Sequence, residues 1–131
     1  MTLATVGENG VWATAVFYAS DAFDLYFLSA GHTRHAQNFR YQSHIAAAIQ
    51  EDYKDWPAIQ GIQLEGDVVQ LQGLEQETAA ALYLAKYPFL AQDAPPIQTA
   101  LTKVNWYRLR PMRLYFIDNS QGLGHRDDVP L

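Results

Sequence analysis

Between Thr2 and Ser29 three β-prone segments follow one another with only turn-length gaps between them. Segments so closely spaced pair as antiparallel neighbours, because a parallel pairing needs a crossover of about a dozen residues or more. Thr2 to Val6 is the first strand. Gly7-Glu8-Asn9-Gly10 follows, where Asn-Gly supplies the positive φ angles of a tight hairpin. Val11 to Ala19, rich in β-branched and aromatic residues, is the second strand. Ser20-Asp21-Ala22 turns it into the third, Phe23 to Ser29. The start of the chain is therefore a meander, and the sheet it begins is antiparallel.

The remaining elements extend that sheet. Thr33 to Tyr41 reads as a short helix with Thr33 as its N-cap, and with Ala36, Phe39 and the stem of Arg40 facing the core. His44 to Gln50 is a nearly apolar strand, whose alanines imply something bulky packed closely against it. Glu51 to Pro57 is a loop. Ile59 to Leu71 is a long strand whose alternation changes phase after Gly66-Asp67, which predicts a bulge or bend there. Glu75 to Tyr87 is a helix: Glu75 and Glu77 sit at its positive end, Lys86 at its negative end, and Pro88 stops it. Asp93 to Pro96 is a loop. Lys103 to Asp118 supplies one or two strands broken at Pro111, and a polar, glycine-rich tail follows Asn119. The pattern predicts a mainly β protein with minor α, about six antiparallel strands with two inserted helices, closing as a small barrel. A chain of 131 residues, 49% of them hydrophobic, is enough for one core, so residues 1–131 are expected to form a single domain.

The segment Phe27-Leu28-Ser29-Ala30-Gly31-His32-Thr33-Arg34-His35 carries the clearest chemistry. It runs from an apolar strand through a glycine turn into a helix start. The formal net charge is -5, yet no Asp or Glu occurs from Leu25 to Gln50, where Arg34, Arg40, His32, His35 and His44 all fall. A local positive potential kept free of carboxylates suits an anion, and a phosphate best of all. The helix start offers free N–H groups and a positive dipole end. Ser29 and Thr33 add hydroxyls, and Arg34 adds a permanently charged fork. The competing reading is an ordinary strand-turn-helix with a threonine cap and solvated charges.

Other constellations say less. His32 and His35 could share a helix face, but no carboxylate stands near them in sequence, so no metal site is expected. The run Lys103 to Arg113 holds four cations and two aromatics. Such interleaving can stack on nucleic acid, but the acidic total charge argues against that partner, and an edge or interface strand with solvated arginines is the plainer reading. No Gly-x-Ser-x-Gly elbow marks a hydrolase. The absence of cysteine excludes disulfides and thiolate chemistry. The opening Met1 to Val6 lacks a basic leader with a long apolar core, and no run approaches membrane-spanning length, so a soluble cytoplasmic protein is expected.

The order of these pieces resembles the pyridoxamine 5'-phosphate oxidase-like, FMN-binding split-barrel family. The matching residues are the Asn-Gly hairpin, Trp12 to Tyr18, Leu25 to Ser29, Thr33 to Asn38, Gly61 to Gly66 and Tyr107 to Pro111. The resemblance implies a six-stranded antiparallel split β-barrel with two or more short helices, dimerising with FMN in the groove between subunits. By the same resemblance, Ser29, Thr33, Arg34 and His35 match the phosphate-binding turn. Ala15, Val16, Phe17 and Tyr18 match the strand whose backbone lies along the isoalloxazine ring. Gln60 and Gly61 fall near a flavin-contacting glutamine, and Trp106 and Arg126 correspond to contacts made across the dimer. Two positions depart from the oxidase: His35 replaces a stronger cation, and the strand Ala13 to Tyr18 carries no basic residue. Relatives also often carry a helix before the first strand.

These features imply an FMN-dependent oxidoreductase acting on a substrate and with an electron donor that the sequence does not name. A non-catalytic flavin or haem module of the same fold is the alternative, with His32, His35 or His125 as haem contacts. A ligand-free interaction domain is the third reading.

Overall fold

The computed structural model describes residues 1–91 and 94–131. The expected loop from Asp93 to Pro96 therefore lies partly outside the described residues. The meander forms as expected, with different joints. Strand β1 (Thr2–Gly7) pairs antiparallel with β2 (Gly10–Ala15), Thr2 opposite Ala15 and Gly7 opposite Gly10. In the turn only Gly10 takes a positive φ, 90°, and Asn9 does not. The second strand does not run on to Ala19. It stops at Ala15, and residues 16–18 cross to a short β3 (Ala19–Asp21). The turn then falls at Ala22-Phe23, with Ala22 at φ 48°, before β4 (Asp24–Ala30). Ser20 and Asp21 are thus strand residues, not the turn.

Helix α1 (Arg34–Tyr41) starts as its cap predicts: the Thr33 side chain accepts from the Ala36 N–H. Ala36 and Phe39 are buried, whereas Arg40 is exposed. Then come β5 (His44–Gln50), a 3-10 turn at Trp56–Ala58, β6 (Gln60–Gln70), α2 (Gly73–Lys86), α3 (Pro95–Leu101), β7 (Val104–Asp118) and β8 (Arg126–Asp128). Helix α3 corrects the loop expected at Pro95 and Pro96. Proline is well suited to a first helical turn, where no N–H is needed.

The expected break at Pro111 is absent: β7 runs unbroken through it. The pairing of β6 with β7 shifts register between Glu65 and Gly66, Glu65 facing Arg113 and Gly66 facing Pro111. The proline lies where the ladder is already interrupted, so its missing N–H leaves no gap. A side chain on Gly66 would run into the Arg110 carbonyl oxygen. A bulge does fall at the expected place, but its extra residue is Met112 of β7; along β6 Leu64, Gly66 and Val68 are all buried, so the alternation does not change phase there.

Among the described residues the sheet has eight strands, not six, in the order β2-β1-β5-β6-β7-β4-β3, with β8 added to β7. The two extra strands are the short β3 and β8. The two ends of this path, β2 and β3, are consecutive in the chain and joined only by residues 16–18. Four peptide steps from Ala15 to Ala19 reach at most about 14 Å. The sheet must therefore curl until its edges nearly meet, although they do not pair. The result is an antiparallel barrel with an open seam.

Inside it, Leu3 of β1 and Phe27 of β4 belong to one apolar cluster with Phe39, Leu64, Tyr107 and Leu109. Leu3, Phe27 and Leu109 are fully buried, each side chain contributing about 1.5–3 kcal/mol. A second cluster, of Leu71, Ala79, Tyr83 and Trp106, seats α2 on the outside of β7. The outer face of β2, β1 and β5 carries small residues. Ala4 lies between Ala13 and Ala46, and Ala46 is exposed, so nothing bulky within the chain covers it. Among the described residues no helix is long and apolar enough to cross a membrane.

Candidate functional site

Alternation along β4 turns Leu25, Phe27 and Ser29 inward. One turn of chain later, the start of α1 brings His35 back onto Ser29. The Ser29 Oγ lies 2.6 Å from the His35 Nε2, and the Thr33 Oγ1 lies 3.3 Å from the same nitrogen. Thr33 donates its hydroxyl proton to the Ala30 carbonyl at 2.9 Å. The His35 ring also meets the edge of Phe39 at 5.9 Å. Burial pushes the His35 pKa below its ordinary value, so the ring is held neutral. Arg34 is thus the fixed cation of this turn.

Arg34 does not join the buried trio. Its Nη2 donates to the Asn9 carbonyl at 2.8 Å, and its guanidinium sits 4.5 Å from the centroid of the Trp12 ring. Its Nε is buried and has no hydrogen-bond partner among the described residues. One arm of the fork thus fastens the β1–β2 hairpin, while another donor is left over. The N–H groups of Arg34 and His35 open α1, where a helix has no internal acceptors. An unmet arginine donor beside a capped helix start fits an anion such as the phosphate of FMN.

Residues 16–18 are fixed from both sides. The Val16 N–H donates to the Met1 carbonyl at 2.9 Å, and the Met1 ammonium donates back to the Val16 carbonyl at 3.2 Å. The Tyr87 hydroxyl donates to the Tyr18 carbonyl at 2.7 Å and accepts from the Tyr18 N–H at 3.3 Å. Phe17 between them has a backbone without a partner among the described residues, and its side chain is 67% exposed. Of the three, Phe17 is the residue open to a ligand. Tyr87 is a contributor the sequence did not reveal.

The other expected residues fall elsewhere. Gly61, Ile117 and Arg126 lie side by side across β6, β7 and β8. The Gln60 side chain reaches Asp118 at 3.3 Å, and Arg126 covers the Tyr115 ring at 4.6 Å. Ser29 pairs with Asn105 near the start of β7, and Gly61 with Ile117 near its end. Twelve positions of strand correspond to an on-strand distance of about 40 Å, shortened by the bend at Pro111. Within one chain the phosphate turn and the Gln60–Gly61–Arg126 group are therefore separate. Trp106 is buried against Tyr83, 5.4 Å between ring centroids, and belongs to the core of the single chain. The basic run is neither an edge strand nor a row of free cations. Arg110 grips both oxygens of Asp24, at 3.1 and 2.9 Å, and Arg108 pairs with Glu75 at 3.1 Å.

The histidines do not converge, and among the described residues no group of three or more His, Asp or Glu side chains could hold a metal ion. His125 bonds Asp127 at 3.0 Å. His44 Nδ1 bonds Asp67 at 2.9 Å, so a window free of acids in sequence is not free of them in space. His44 also borders a broad groove of about 700 Å³ on the outer sheet face, with Ala4, Trp12, Ala13, Ala46 and Glu65.

No family model matches the chain. Its architecture is that of solved split-barrel proteins. It superposes on the heme binding protein of Mycobacterium smegmatis with a TM-score of 0.75 and 22% identity, covering 98% of this chain and 51% of that one. It superposes on a candidate pyridoxamine 5'-phosphate oxidase of Listeria innocua with a TM-score of 0.63 and 14% identity, covering 89% and 86%. At these identities the likeness carries the fold: a pyridoxamine 5'-phosphate oxidase-like split barrel. In sequence, the chain is 30% identical over 121 residues to a UPF0306 protein of Enterobacter sp. (strain 638), covering 91% of this chain and 79% of that protein. The chain belongs to the UPF0306 family.

Proposed function

We propose that the protein is a cytoplasmic homodimer that binds FMN and acts as a flavin-dependent oxidoreductase. The observation that carries this is the Arg34 turn: Arg34 is the first residue of α1, next in the chain to the Thr33 cap, and its buried Nε has no partner among the described residues. Thr33, Arg34 and the leading N–H groups of α1 would hold the phosphate, with Ser29 and neutral His35 fixing the turn beneath it. Phe17, with its open backbone, would lie along the ring, flanked by Val16 and Tyr18. Gln60, Gly61 and Arg126 would reach the cofactor from the second copy, since one chain keeps them far from its own turn. The small side chains of Ala4, Ala13 and Ala46 leave a broad groove into which a second copy could pack.

Bound flavin supplies hydride or electron transfer, and the protein supplies position and electrostatics. That division suits a site whose one serine–histidine pair among the described residues, Ser29 and His35, is buried rather than presented to a substrate. With one permanent cation in the turn, pyridoxamine phosphate oxidation itself is not the reaction we assign. The test is an absorbance scan of protein purified from cells, followed by FMN titration. A colourless protein that takes up no FMN would sink the proposal.

One observation favours haem as a second reading. His44 is oriented through Nδ1 by Asp67, as metal-binding histidines commonly are, and stands at the wall of the broad outer groove. Its Nε2 has no hydrogen-bond partner among the described residues. On this reading His44, rather than His32, His35 or His125, is the ligand. Haemin titration of the His44→Ala variant decides it, an unchanged Soret band excluding His44.

A further inference from the structure

A second cavity, of about 390 Å³, opens between β4, the end of α2 and α3, walled by Phe17, Leu28, Tyr83, Phe89, Ile97 and Ala100 among others. Its volume lies within the range of about 300–1,000 Å³ typical of small-molecule pockets. Among the described residues no lining side chain is charged. The lining hydroxyl belongs to Tyr83, whose pKa burial pushes up to about 12, so it stays protonated. The cavity adjoins the ring half of the proposed flavin site through Phe17, the open residue of the segment assigned to the ring. Leu28 lies on the face of β4 opposite Ser29, so the phosphate turn is on the other side of the strand. The Tyr87 hydroxyl pins Tyr18, and the Tyr87 ring meets Phe17 at 5.3 Å, so the shared wall is rigid.

We propose that this cavity is the substrate pocket and that it takes an uncharged, planar aromatic molecule. The inference rests on the FMN reading for the word substrate, and on the cavity alone for the ligand class. A charged group brought in here would lose its water and find no charged partner among the described residues, a cost of several kcal/mol. A flat ring instead meets the rings of Phe17, Tyr83 and Phe89, which favour offset or edge contacts.

The probes are 2-naphthol and its charged counterpart 2-naphthoate, titrated calorimetrically into the purified chain with and without FMN. Naphthol should bind once per chain, and naphthoate at least about tenfold more weakly. Naphthol should also perturb the absorbance of bound FMN. Ala100→Phe, on the exposed side of α3, should fill the cavity and weaken naphthol at least about tenfold while leaving FMN affinity unchanged. Ala100→Asp provides a second variant with the same expected loss. Equal binding of the two probes, or full naphthol affinity in both variants, would overturn the ligand class. An undisturbed FMN spectrum would overturn the adjacency. A change of oligomeric state in both variants would assign the groove to a second copy instead. Naphthol binding without any FMN binding would overturn the flavin reading and keep the aromatic pocket.

Discussion

Ser29 and His35 form a buried pair: Oγ and Nε2 are 2.6 Å apart, and the residues are 7% and 8% exposed. Burial holds the His35 pKa below 6.5. The unfolded chain therefore takes up a proton at higher pH than the folded one. The stability linked to this histidine is complete above about pH 6.5 and is lost as pH falls through the lower folded value. Urea midpoints should drop across that acid range, and His35→Gln should flatten the drop. An identical profile in the variant would mean that other groups set the acid response.

Arg34 serves two masters, the β1–β2 hairpin and the proposed phosphate. Arg34→Ala removes the stacking on Trp12 and the bond to Asn9, a loss of about 1 kcal/mol in denaturant melts. It should also weaken FMN about tenfold or more, since one charge-assisted contact is gone. A variant that loses stability but keeps full FMN affinity would leave Arg34 as a hairpin fastener alone.

Gly66→Ala should be among the most damaging single substitutions. The added methyl meets the Arg110 carbonyl, with the Pro111 Cα only 2.7 Å away. Backbone on both sides cannot step aside, so the cost is about 3 kcal/mol or more. Thermal melts of soluble variant protein measure it, and a near-native midpoint would contradict the bulge geometry.

Tyr87→Phe removes one hydroxyl that serves both backbone groups of Tyr18. The expected loss is about 1–2 kcal/mol of stability. FMN affinity should fall as well, because the segment assigned to the ring is no longer held. Full affinity in the variant would separate the segment from the cofactor.

Local rules read well where local chemistry decides. Thr33 caps its helix because its side chain reaches an N–H three residues on. Pro111 was misleading because the rule against proline in strands assumes an intact ladder, and here the neighbouring Met112 is an extra residue that interrupts the pairing with β6. The end of β2 at Ala15 is equally nonlocal: the barrel, not the β-propensity of Val16 to Tyr18, makes the chain leave the sheet there. At the site, the meeting of Ser29, Thr33 and His35 follows from a short turn and was legible. The diversion of Arg34 to Trp12 and Asn9 was not, because it depends on a hairpin 23 to 25 residues away.

The position of β7 has a consequence for assembly. It pairs with β6, β4 and β8 and joins the two parts of the sheet, yet it comes near the end of the chain. During synthesis β1, β2, β5 and β6 can associate early, while the β3–β4 hairpin waits with one edge unmet until residues 104–118 emerge. Closure is then a late, long-range event, the kind that makes folding slow and leaves a strand edge open to wrong partners in the meantime.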